Sequence, residues 1–191
     1  MKPIEGWDLI NEAGEFKTLP PSIQGLKITK IVNNAEKEYF EVYFDITKGE
    51  YANYFKTLES NGVKDPSKTI RSYKNAALPF FKGFITAITK SNPGFEWDWN
   101  EQKLVGKNVI GVFGEEEFIN DAGEVKTTVR IQEFRSLDAY QKGEIKIPAV
   151  KKVTDKDWED WRAKHPVSGD SAPESKPEPS VTKIDPADLP F

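Results

Sequence analysis

A mainly β fold with helical insertions is expected from this sequence, on three observations. Two blocks of alternating, β-rich residues, 24–47 and 104–135, flank a stretch, 50–90, whose apolar residues recur with the helical period. The second β block carries interior glycines, which suit a sharply bent barrel strand. The last stretch, 166–191, is rich in Pro, Ser and acids and offers almost nothing to bury. Such a composition does not offset the entropy of ordering, so a disordered tail is expected there. The 191 residues therefore divide into one domain, 1–165, and a tail, 166–191.

The first 22 residues are mixed, with Trp7, Ile10, Phe16 and Leu19 available to cover an edge of the core, and Pro20-Pro21 closing the segment. A strand over 25–32, a turn at 33–37 and a second strand over 39–47 follow. Val42, Phe44 and Ile46 fall on one face of the second strand, and Glu41, Tyr43 and Asp45 on the other. The first face is core; Tyr43 on the second is a candidate stacking platform or an ordinary strand residue. Tyr51, Tyr54, Phe55 and Leu58 then form a helical stripe that stops at Asn61-Gly62. Asp65-Pro66 has the form of a helix start, giving a second helix with Ile70, Tyr73 and Ala77 on its face. Pro79 interrupts it, and Phe80, Phe81, Phe84, Ile85 and Ile88 make a further stripe up to Ser91. Residues 62–69 approach the phosphate-binding pattern G-x-x-x-x-G-K-[ST]. Ser67 replaces its second glycine and no apolar strand leads in, so a nucleotide cradle is not expected.

The most aromatic stretch is 94–101, GFEWDWNE. Trp97 and Trp99 share a face of an extended chain, and Lys82 and Lys107 lie near them in sequence. Aromatics interleaved with cations are what unspecific single-strand binding requires, because bases stack and phosphates need charge. One Trp is expected in the core and one at the surface. In the second β block, a hairpin loop at 120–124 separates the strands. Alternation puts Val129 and Ile131 inward, and Thr128, Arg130, Gln132 and Phe134 outward, with Arg135 next in line. That outward row suits a nucleic-acid surface or a solvated sheet face. A short strand is expected at 145–148. Thr154 to Asp157 resembles a capping box opening a helix with Trp158 and Trp161 on its apolar side, ended by His165-Pro166. The order of block, helices and block is compatible with an OB-like five-stranded barrel carrying extra helices.

Composition narrows the function classes. The chain has no Cys and one His, so neither a disulfide framework, thiolate chemistry nor a zinc site is expected. The acids at 115–117 and 155–160 lack a partner-lysine motif, so a β-scaffold nuclease is the weaker alternative and no catalytic residue, metal or cofactor is expected. No apolar run is long enough to span a membrane and no signal peptide is expected, which places the protein inside the cell. Of the net charge of −4, the tail carries −3, leaving the body at −1. Phosphate binding then requires a local patch of cations instead of a global field.

The tail closes on Asp185-Pro186-Ala187-Asp188-Leu189-Pro190-Phe191. A large aromatic at the end of a solvated tether suits a docking tip. Phe191 would enter an apolar pocket, Leu189 and Pro190 would flank it, and Asp185, Asp188 and the terminal carboxylate would meet Lys or Arg. This ending resembles the C-terminal tip of bacterial and phage single-stranded DNA-binding proteins, in which the body holds the strand and the tail recruits replication and repair enzymes. The stretches 81–94, 103–107 and 113–118 (FKGFITAITKSNPG, KLVGK and FGEEEF) resemble a family of small proteins from phages and mobile elements of Gram-positive bacteria, described as single-stranded DNA-binding. The resemblance covers about residues 24–153 and the tip. It implies an OB fold, no catalysis and no cofactor. It also implies single-stranded DNA and replication, recombination or repair proteins as partners, in the cytoplasm of a bacterial host. A homo-oligomer is compatible with it, and a module that binds only proteins is the competing class.

Overall fold

The structure is a computed structural model and describes residues 17–165. The expectations for the first 16 residues, for the tail and for its tip at Asp185, Asp188, Leu189, Pro190 and Phe191 lie outside the described residues. Five strands, β1 (Ser22–Asn34), β2 (Tyr39–Ile46), β3 (Thr69–Ser72), β4 (Asn108–Ile119) and β5 (Val125–Arg135), form one sheet in the order β3-β2-β1-β4-β5. Every neighbouring pair is antiparallel. Among the described residues no ladder joins β3 to β5, so the sheet keeps two free edges. Among the described residues four α-helices complete it: α1 (Tyr54–Ser60), α2 (Leu78–Ser91), α3 (Leu137–Gln141) and α4 (Asp155–Lys164).

Strand alternation sets the core. Val42, Phe44 and Ile46 point inward from β2, and Leu26, Ile28 and Ile31 from β1. The step between Ile28 and Ile31 is three residues because a bulge lies between Ile28 and Lys30, which adds a residue and bends the strand. Phe113 and Val109 supply β4's share, and α2 packs Phe81, Phe84, Ile85 and Ile88 against β3, β4 and β5. Gly111 permits the close approach of β1 to β4, since a methyl group there would collide with the Leu26 side chain.

Several expectations fail for physical reasons. Residues 65–77 do not form a helix. Asp65 sits at φ 49, and residues 69–72 instead pair with β2, Ile70 opposite Glu41. The pairing edge of β2 overrides the local helix signal. Pro79 does not interrupt a helix but stands in the first turn of α2, where its missing N–H costs nothing. Phe80 is not on the buried stripe: it is 78% exposed. Phe134 is not outward. The register of β4 and β5 slips between Val112 and Phe113, leaving Gln132 as an extra residue on β5. Beyond that bulge the alternation inverts, and Phe134 turns into the core at 8% exposure beside Phe44 and Phe84.

The strand expected at 145–148 is absent. Only Lys151 pairs with β4, accepting from the Glu117 amide (2.8 Å) and donating to the Glu115 carbonyl (3.0 Å). The capping box is present, with Thr154 and Asp157 bonded reciprocally at the start of α4. Trp161 then donates its ring N–H to the Asn120 carbonyl (2.8 Å), fastening α4 to the hairpin tip between β4 and β5.

Candidate nucleic-acid interface

Beside the N-terminal half of α2 lies an open groove of about 1040 Å³, lined mainly by Phe40, Tyr73, Leu78, Phe81, Trp97 and Trp99. Its polar edge is Lys82, Glu101, Asn33 and Thr86. The loop that carries the two tryptophans is built from identifiable parts. The Asn92 side chain donates to the Ile88 and Asn108 carbonyls (both 2.7 Å) and accepts from the Asn108 amide (3.0 Å), tying the end of α2 to the start of β4. Gly94, at φ 79, reverses the chain, and Phe95 buries its ring. Asn100 caps the short 3-10 turn Glu101–Leu104 through the Gln102 amide (3.1 Å).

Trp97 is half-buried and packs on the core, whereas Trp99 is 82% exposed. The ring centroids are 6.2 Å apart and tilted by 57°. Trp99 holds φ 68, a left-handed conformation that costs a bulky residue on the order of 1–3 kcal/mol. Its flanks hold it there. Asp98 accepts from the Asn100 amide (3.4 Å) and from Lys103 (2.5 Å). The hydrogen bond from Lys103 is the main reason that the Asp98 carboxyl titrates below its ordinary range, so this clasp persists at neutral pH. A strained, exposed indole over an apolar groove supplies a ready stacking face.

The residues singled out in the sequence fall in four places. Lys82 joins Trp97 and Trp99 in the groove, as a cation exposed beside the rings. Lys107 lies at the root of the same loop, its ammonium 4.8 Å from the centroid of Phe95. Tyr43 stands apart, on the outer face of β2. Lys30 covers its ring at 4.9 Å and its hydroxyl donates to Glu41 (3.1 Å). Burial first, and the adjacent Glu41 second, push its phenol up to about 12.

Arg130 and Arg135 lie along β5, each in a loose ion pair, with Glu116 (3.5 Å) and Glu133 (3.7 Å). Phe134, being inward, is unavailable for stacking. It instead carries the Arg71 guanidinium on its ring at 4.6 Å, a link between the two free strands β3 and β5. Burial pulls Arg71 down to about 10, so it remains charged at neutral pH.

Sequence reasoning missed Tyr73 and Leu78 as groove residues. For Tyr73 no local signal existed, because its place follows from the pairing of β3. No family model matches this chain, and no curated protein is significantly similar to it.

Proposed function

We propose that this chain is a non-catalytic single-stranded DNA-binding protein, built on an OB-like barrel left open between β3 and β5. The order β3-β2-β1-β4-β5, with α2 between β3 and β4, supports that fold. The observation that carries the function is Trp99, exposed and held at positive φ beside Trp97 in the apolar groove. Bases would stack there without regard to sequence, and Lys82, Lys107 and the β5 arginines would meet phosphates. Titration with oligo-dT tests it. Tryptophan fluorescence should be quenched, affinity should fall as salt rises, and duplex DNA should bind less well. Absence of quenching at low salt, or equal affinity for duplex, overturns the reading.

A module that binds only proteins is favoured by one observation, that among the described residues Lys82 is the sole cation lining the groove. It requires that oligo-dT leave the fluorescence unchanged.

The tail belongs to the proposal as the recruiting element, with its partner a replication, recombination or repair protein of a bacterial cell. The acidic tail competes with phosphates for the body's cations, so deleting 185–191 should leave the domain folded and strand affinity equal or higher. Phe191→Ala should abolish capture of such a partner, because the terminal ring is the main apolar anchor of the tip. Capture of the same partners by Phe191→Ala and by the native chain in a pull-down removes this part of the proposal.

A further inference from the structure

The loop between α1 and β3 faces β5 across a cleft of about 770 Å³. Lys64 and Lys68 line it from the loop and Arg130 from β5, and Ser67 and Thr69 belong to the same lining. We propose that this cleft is a phosphate subsite, which holds the backbone of the same single strand whose bases occupy the tryptophan groove. The proposal rests on the single-strand reading and adds to it the route of the strand.

The cations there are available. Among the described residues Lys64 has no carboxylate within ion-pair distance, and its side chain is exposed. Lys68 reaches Glu41 at 3.6 Å and Asp65 at 4.0 Å, and Arg130 reaches Glu116 at 3.5 Å. These distances are long for ion pairs and the cation ends stay open to solvent, although Glu41 and Glu116 are largely covered, so a phosphate can compete for the cations. Asp65 and Glu116 also line the cleft, so its lining carries an excess of one positive charge, with Glu41 behind Lys68. That excess suits diester phosphates carrying one charge each, not a polyphosphate.

The departure from the P-loop pattern points the same way. A nucleotide cradle needs backbone approach at the second glycine, where this chain has Ser67, and a strand leading in, where this chain has α1. Recognition here is by side-chain charge alone.

β3 connects the two places. Thr69 and Ile70 line the cleft, and Tyr73, immediately past the end of the strand, lines the groove. Four residues of strand rise about 13 Å, a distance that a few nucleotides bridge. Between them Ile70 is 51% exposed, an apolar surface along the route. Among the described residues the outer edge of β3 has no pairing strand, and the Arg71 side chain reaches from it to Phe134 of β5.

The test is a salt series on the full chain and on the double variant Lys64→Ala/Lys68→Ala, read by tryptophan fluorescence. Oligo-dT of about four and about twelve nucleotides are the probes. The short one fills the groove, and the long one also reaches the cleft. For the long probe the double variant should lose about 1.4 from the magnitude of the log–log salt slope and bind about tenfold more weakly at low salt. The short probe should bind as before, and Lys64→Arg/Lys68→Arg should restore the slope. An unchanged slope with the long probe, or equal weakening with both probes, overturns the inference while the groove reading stands. Failure of the native chain to bind either probe overturns both.

Discussion

Trp99→Ala is expected to weaken oligo-dT binding by about 1–3 kcal/mol while leaving the fold unchanged. The ring is exposed, so its removal deletes a stacking face without opening a cavity. The substitution does not relieve the backbone, since alanine at φ 68 meets the same steric conflict. Trp97→Ala should behave differently, because that ring packs against the core and its loss destabilises the loop and the groove floor together. Circular dichroism and thermal melts recorded with the binding titrations separate the two effects. Equal affinity for Trp99→Ala and the native chain would remove the exposed indole from the interface.

Phe113→Ala should be the most damaging single change to stability, at about 3–5 kcal/mol. Phe113, on β4, is 2% exposed. Its ring meets Phe44 from β2 at 6.2 Å and stacks on Phe55 from α1 at 6.0 Å. Truncation therefore leaves a cavity bounded by three elements, none of which closes it by a local side-chain turn. Against a typical domain stability of about 5–15 kcal/mol this is a large fraction. Urea denaturation gives the number, and a loss below about 1 kcal/mol would show that the cluster repacks.

What the sequence made legible follows the range of the interactions involved. The core face of β2 was readable, because alternation at Val42, Phe44 and Ile46 is set by the pleat itself. The capping box at Thr154 was readable because its two hydrogen bonds span three residues. Residues 65–77 misled, since a true local signal at Asp65-Pro66 was outweighed by pairing with β2, which lies more than twenty residues upstream. Phe134 misled for a subtler reason. A single extra residue at Gln132 inverts a face, and nothing in VRIQEFR marks where a bulge falls. Of the candidate site, the two tryptophans and Lys82 came together as their sequence neighbourhood suggested. Which tryptophan is exposed followed from the packing of Trp97 on the core, which two aromatics of equal composition cannot reveal.

The free edges at β3 and β5 have a consequence for how the molecule opens. β1 is flanked on both sides, by β2 and β4, so release of its amide protons requires most of the sheet to come apart. β3 is four residues long, paired on one side only, and exchanges its protons through local fraying. The domain thus carries a gradient of hydrogen exchange, slow at its centre and fast along one rim. A strand lying on that rim would flatten the gradient from the outside. Slowed exchange at residues 69–73, with β1 unaltered, would then trace the ligand's course on the protein without any residue being changed.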